Sequence, residues 1–154
     1  MDQEVFKKYL GKMQALCSRG EKCRADIRMK LNKAGLPEDL IMKILDDLQK
    51  EEFIDEQRYA GAFARDKSRL QGWGPVKISG MLKMKKIPKE IIESALYQLD
   101  EDLLMTGLKE ALKKKDKTIK DTDPVKRHAR LVRFGISKGY TFWQVIRVLE
   151  RLKK

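Results

Sequence analysis

Apolar residues recur along most of this chain at spacings of three and four positions, and the two-residue alternation of a half-buried strand is absent. Glycine and proline interrupt the pattern repeatedly. The intervals between these breaks predict helices at residues 3–17, 24–34, 37–51, 55–70, 75–86, 88–101, 103–117, 124–135 and 141–152. The hydrophobic pattern therefore predicts an all-α protein.

The predicted helices fall into a repeat of roughly 50 residues. The first copy holds Ile27, Leu31, Leu36, Pro37, Ile41, Leu45 and Leu48, and the second holds Ile78, Leu82, Ile87, Pro88, Ile92, Leu96 and Leu99. A third copy aligns less regularly, through Leu131, Gly135, Ile136, Phe142, Ile146 and Leu149. This alignment needs a one-residue insertion near Gly139.

Three short helices bury too little apolar surface to be securely stable alone. Units stacked in a row share cores and form an elongated molecule with a long lateral face. We therefore expect three tandem three-helix repeats, at residues 1–53, 54–102 and 103–154. Such a shape suits contact along a filament or groove better than enclosure of a small molecule.

Residues 71–78 (QGWGPVKI) are the least helix-like stretch of the second copy. In the repeat, Pro75 aligns with Arg24 and Pro124 as the first residue of a middle helix, where the missing N–H of proline has no helical partner to lose. The cap positions before these helices hold Cys23, Gly74 and Asp123. The stretch predicts a helix entrance rather than a phosphate loop, because no strand precedes it. Whether Trp73 is buried or exposed stays open.

Composition limits the class of protein. The chain has 154 residues and 42% hydrophobic content, which argues against wholesale disorder. No apolar run is long enough to span a membrane, and the acidic N-terminus does not resemble a secretion signal. We therefore do not expect secretion, and we expect Cys17 and Cys23 to be reduced thiols; a redox pair is the alternative.

The net charge of +12 is unevenly distributed. Residues 104–154 carry 15 basic and 5 acidic side chains, whereas the rest of the chain is nearly balanced. An excess of this size indicates an anionic partner, either nucleic acid or an acidic protein surface. The alternative is a solvated basic face without a partner.

Helical spacing groups several cations. The predicted partner-binding residues are Arg58, Arg65, Arg69, Trp73, Lys77, Lys126, Arg130, Arg133, Arg147 and Arg151. Clustered arginines suit phosphate or carboxylate partners through paired hydrogen bonds. Arg58 lies in the first turn of its helix, where the helix dipole disfavours a cation. Contact with a partner or with a neighbouring carboxylate would explain its position.

Apolar residues beside these cations are expected in the core. They are Tyr59, Phe63 and Leu70 on the fourth helix, Val125, Ala129 and Val132 on the eighth, and Val145, Ile146, Val148, Leu149 and Leu152 on the ninth. The aromatic cluster of Tyr140, Phe142 and Trp143 has two interpretations. It caps the core of the last repeat, or it stacks on bases.

Enzymatic function is not indicated. His128 is the single histidine and no nucleophile–base pairing is suggested. Cys17 and Cys23 lack two further ligands for a structural zinc. We therefore expect no catalysis, no cofactor, no metal and no small-molecule substrate.

Residues 54–60 (IDEQRYA), Arg65, residues 72–78 (GWGPVKI), Leu82 and Ile87 together resemble the central signature of the bacterial RecX regulatory proteins. The flanking repeats resemble the family more weakly. Cys23 stands where the first repeat usually has a serine cap, and residues 138–140 are an addition to the usual third-repeat turn.

The resemblance implies a curved, elongated array of tandem three-helix repeats. It also implies binding to the RecA recombinase filament on single-stranded DNA, with inhibition of recombinase, ATPase and co-protease activity in the bacterial cytoplasm. Some family members also touch DNA directly. Two alternatives stay open: an autonomous nucleic-acid-binding protein that uses the basic third repeat, and a scaffold with no link to nucleic acid.

Overall fold

The computed structural model describes residues 3–153, and this part of the chain contains nine α-helices and no strand. The helices are α1 (Gln3–Ser18), α2 (Arg24–Lys33), α3 (Glu38–Lys50), α4 (Glu56–Leu70), α5 (Pro75–Met84), α6 (Lys89–Tyr97), α7 (Glu101–Thr118), α8 (Pro124–Ser137) and α9 (Phe142–Leu152). The largest difference from the predicted bounds is at the α6–α7 boundary. Asp100 ends the connection by accepting the N–H groups of Asp102 and Leu103, so α7 begins earlier than expected.

The helices pack as consecutive triplets, α1–α3, α4–α6 and α7–α9, and the extensive contacts between described helices all lie within a triplet. Each triplet has its own apolar cluster, centred on Leu31 and Ile44 in the first, Ile78 and Leu82 in the second, and Leu112 and Val145 in the third. Each of these side chains is almost completely buried, which contributes about 1.5–3 kcal/mol per large aliphatic residue. None of the described helices is long and apolar enough to cross a membrane.

The helix starts follow the predicted caps. Pro75 and Pro124 are the first residues of α5 and α8, with Gly74 and Asp123 at the positions before them. Asp55 accepts the backbone N–H of Arg58 at 2.9 Å, which fixes the start of α4. Local capping chemistry therefore predicts these boundaries correctly.

Cys23 precedes α2 but is fully buried in the core of the second triplet. Burial raises the pKa of its thiol to about 11, so the thiol is protonated at neutral pH. Cys17 and Cys23 are both free thiols, as predicted. The entrance of α2 thus joins the first triplet to the second.

The turn between the second and third helix of each triplet has the same geometry. Gly35, Lys86 and Gly139 adopt left-handed φ angles of 82°, 61° and 102°. The next residue in each turn donates its N–H to the carbonyl five positions earlier, in the pairs Leu36–Leu31, Ile87–Leu82 and Tyr140–Gly135. This bonding is typical of the Schellman motif at a helix C-terminus. Gly139, and not Gly135, is therefore the equivalent of Gly35.

The predicted one-residue insertion in the third copy is wrong. α8 has 14 residues, whereas α2 and α5 have 10 each, so the insertion is four residues, about one helical turn. The equivalents of Ile41, Leu45 and Leu48 are Val145, Leu149 and Leu152, not Phe142, Ile146 and Leu149. The two alignments differ by a shift of three residues. Apolar positions in a helix recur every three or four residues, so the pattern matches almost equally well after such a shift.

Two residues predicted to lie in the core are exposed. Leu70 is 81% exposed and Val125 is 76% exposed. Both lie in the terminal turn of a helix, where periodicity no longer guarantees a facing neighbour. The other predictions of this kind are confirmed, since Tyr59, Val132, Val145, Val148 and Leu149 are buried and Phe63, Ala129, Ile146 and Leu152 are half-buried.

Candidate functional site

Residues 71–77 form a close contact between the second and third triplets. The N–H of Gly74 donates to the carbonyl of Lys138 at 2.7 Å, and the N–H of Val76 donates to the carbonyl of Gly139 at 2.9 Å. A Cβ on Gly74 would lie 2.5 Å from the carbonyl oxygen of Gly139, so only glycine fits. The segment is a helix entrance, as predicted, and also the point where the third triplet docks.

Trp73 lies half-buried at the edge of the second core. Its ring meets Phe63 edge-on with centroids 6.2 Å apart, and the amines of Lys67 and Lys77 lie 4.9 and 4.4 Å from the ring centroid. Such contacts stabilise both the ring and the lysine positions. Trp73 and Lys77, both predicted to bind a partner, are thus engaged within the chain.

Arg58 is held by neighbouring groups. Its Nε donates to the Glu21 carboxylate at 2.6 Å, and Nη2 donates to the carbonyl of Glu52 at 3.1 Å. The hydrogen bond to Glu21 raises the pKa of Arg58 above its usual value. Of the two explanations for a cation in this first turn, the neighbouring carboxylate is the one observed.

Arg65 and Arg69 lie apart from Arg58, although the three share one helical face. Both line a groove of about 510 Å³ between α4 and the α6–α7 connection. The apolar side of this groove is formed by Leu99, Leu103 and Leu104. Within residues 3–153 neither arginine has an ion-pair partner.

Some cations of the third triplet are held within the chain and others are exposed. Arg127, which the sequence did not single out, turns inward and donates to the carbonyls of Ile119 and Asp121 at 2.7 and 2.9 Å and to the Asp116 carboxylate. It therefore closes the loop between α7 and α8. No local sequence signal identifies this role, because the groups that Arg127 contacts lie 6 to 11 residues earlier, in and before the loop.

Arg130 and Arg133 face outward and line a shallow groove of about 430 Å³ together with Lys115 of α7. The amine of Lys115 lies 5.4 Å from the ring centroid of Phe134. Sequence reasoning missed Lys115, although it ends a run of three lysines. Lys126 is exposed on the same helix but does not line the groove.

The aromatic cluster of the third triplet is split. Tyr140 is 3% exposed in the core, and its hydroxyl donates to the carbonyl of Leu104 at 3.3 Å. Phe142 and Trp143 are 47% and 71% exposed, with ring centroids 5.3 Å apart. Tyr140 therefore follows the core interpretation, whereas the other two rings stay accessible.

Arg147 and Arg151 are exposed on α9 and follow Trp143 at four-residue intervals. They form a face separate from the groove of Arg130 and Arg133, whose lining comes from α7 and α8. Six of the predicted cations thus lie in three pairs on separate surfaces, namely Arg65 with Arg69, Arg130 with Arg133, and Arg147 with Arg151. Surfaces rich in guanidinium groups can bind phosphates or carboxylates.

Among residues 3–153 no group of three or more His, Cys, Asp or Glu side chains is placed to hold a metal ion. His128 is half-buried beside Arg127 and Leu131 in a groove of about 420 Å³ between α7, α8 and α9.

Comparison with known proteins identifies the family. The sequence profile described as "RecX, second three-helix domain" matches residues 55–96, which span α4 to α6. A protein of Pseudomonas entomophila named "Regulatory protein RecX" is 30% identical over 134 residues, covering 87% of this chain and 84% of that protein. The chain belongs to the RecX family. A Clostridium botulinum protein of the same name is 33% identical over 126 residues, covering 80% of this chain and 58% of that protein's length.

Two crystal structures of RecX proteins share the fold. One has a TM-score of 0.86 and 22% identity, covering 94% of this chain and 71% of the other. The second, RecX from Lactobacillus salivarius, has a TM-score of 0.85 and 19% identity, covering 99% of each chain. These similarities confirm the predicted fold class, an all-α array of three-helix repeats.

Proposed function

We propose that this RecX-family chain binds the RecA filament on single-stranded DNA and inhibits its recombinase, ATPase and co-protease activities. Family membership supports the proposal. The groove lined by Lys115, Arg130 and Arg133 is the structural feature that best supports contact with an anionic filament. The protein acts without turnover of its own, in the bacterial cytoplasm, and its functional units are residues 1–53, 54–102 and 103–154.

The charge of this groove is uncompensated. Arg130 and Arg133 have no ion-pair partner in the described chain, whereas Arg127 of the same helix is engaged with Asp116. Clustered like charges repel one another, so they destabilise the folded chain slightly. An anionic partner relieves this repulsion, which favours a binding role over a structural one.

The activity is tested with RecA filaments preformed on single-stranded DNA. Saturating protein should lower DNA-dependent ATP hydrolysis and strand exchange, and the protein alone should hydrolyse no ATP. Unchanged hydrolysis at saturating protein would contradict the proposed function.

The contact is tested with the double variant R130E/R133E in a salt titration of filament binding. Its affinity should fall, and the slope of log affinity against log salt should shrink by about one for each phosphate contact removed. The matched control is K30E/K33E, which reverses the same number of exposed charges on α2. Equal binding by the two variants would show that net charge, and not this groove, attracts the filament.

A second candidate is direct binding to bare single-stranded DNA. The exposed Trp143 and the two arginines that follow it on α9 favour this function, because bases stack on accessible aromatic rings beside cations. Trp143→Ala should then weaken binding to an oligonucleotide without RecA. If Trp143→Ala matches the wild type on bare DNA, this second function is wrong.

A further inference from the structure

The groove between α4 and the α6–α7 connection has features that family membership does not explain. One wall is formed by Arg65 and Arg69 of α4, and the opposite wall includes Leu103, which is 68% exposed. Leu99 and Leu104 are half-buried beside it. The three leucines line the groove together beside the two arginines, and an apolar patch rimmed by polar groups is typical of a protein-binding surface.

The groove carries more positive than negative charge. Asp100 is the one carboxylate that lines it, and its Oδ1 accepts the N–H groups that begin α7. In the described chain Arg65 and Arg69 form no ion pair. The groove therefore offers two cations to an occupant that brings its own anionic groups.

Gly107 forms part of the lining and has no packing reason to be glycine. It lies inside α7, where glycine disfavours the helix relative to alanine, and a Cβ there would meet no atom within 4 Å. The chain itself does not need this position to be bare. A bare helix surface lets another backbone or side chain approach closely.

We propose that this groove docks a segment of a partner protein in which an apolar side chain is flanked by carboxylates. The apolar residue packs on Leu103, and the carboxylates pair with Arg65 and Arg69. A protein segment is favoured over nucleic acid because no aromatic side chain lines the groove for base stacking, while three leucines do. The inference rests on the proposed function, since the RecA filament supplies the segment.

The decisive variants are Gly107→Gln and Gly80→Gln in the full chain. Both glycines are exposed within a helix and have open space at the Cβ position, but Gly80 lies in α5, outside the groove. Each change should preserve or raise the melting temperature, because glutamine favours a helix. Gly107→Gln alone should weaken filament binding, by about tenfold or more, as expected when a docking pocket is filled.

A photo-crosslinker at Leu103 identifies the occupant. With p-benzoylphenylalanine in place of Leu103, irradiation on filaments assembled on end-labelled DNA should join the chain to RecA protein and leave the DNA label free. Crosslinking to DNA alone would overturn the inference. If Gly107→Gln binds the filament as tightly as the wild type does, the groove is not the docking site, and the proposed function still stands. A wild type that binds no filament would overturn both.

Discussion

Gly74→Ala is expected to destabilise the contact between the second and third triplets. Gly74 has φ −87° and ψ 170°, which alanine adopts without strain. At an unhindered position of this kind the substitution usually stabilises a protein by about 0.4–1 kcal/mol. Here the new Cβ would lie 2.5 and 2.6 Å from the carbonyl oxygen and carbon of Gly139 and 2.8 Å from Cδ2 of Tyr140.

Backbone atoms cannot move aside alone, so the third triplet must shift away. Overpacking costs about 1–3 kcal/mol, and weakening the hydrogen bonds from Gly74 to Lys138 and from Val76 to Gly139 adds about 0.5–1.5 kcal/mol each. We expect the free energy of unfolding to fall by about 2–6 kcal/mol. For a chain of this length the melting temperature should fall by about 4–24 °C.

Urea denaturation followed by circular dichroism measures the loss. Gly20→Ala is the matched control, because Gly20 has an ordinary φ and no atom within 4 Å of its Cβ position. Gly72→Ala isolates backbone strain, since Gly72 has φ +68° but only the end of Lys138 nearby, at 3.7 Å. If Gly74→Ala unfolds within about 0.5 kcal/mol of Gly20→Ala, the range of ordinary surface substitutions, the reasoning is refuted.

Three further predictions concern single residues. Pro75→Ala should lower the stability only slightly, whereas Ser79→Pro inside α5 should cost about 3 kcal/mol or more. Equal losses in thermal melts would show that α5 does not begin at Pro75. Arg58→Ala should cost at most about 1 kcal/mol in urea denaturation, because its ion pair is partly exposed, and should leave filament affinity unchanged; the reverse pattern would make it a contact residue. Burial alone would raise the pKa of Asp26, but hydrogen bonds, chiefly from Lys85, lower it overall. A lowered pKa stabilises the folded state at pH values above the unfolded pKa of about 3.9, and this stabilisation is lost as the pH falls through the folded pKa. Asp26→Asn should therefore make the free energy of unfolding depend less on pH on the acid side, as measured by urea denaturation at several pH values. An unchanged dependence on pH would contradict this.

The sequence by itself determined the helices and most of the buried positions. Asp55, Pro75 and Asp123 act on backbone groups within three residues of themselves, so their role is readable without a fold. Helical periodicity located the buried faces for the same local reason. The signature in residues 54–60 and 72–78 was enough to indicate the family, which the comparisons then confirmed.

Only the tertiary structure decided the register of the third repeat and the use of each cation. An inserted helical turn preserves the apolar stripe, so the sequence pattern could not distinguish it from a one-residue insertion. Arg58 and Arg65 lie on the same helical face, but the carboxylate that holds Arg58 belongs to Glu21, which is distant in the sequence. The contact of Gly74 with Gly139 also joins residues far apart in sequence, and its tightness follows from the packing of whole repeats.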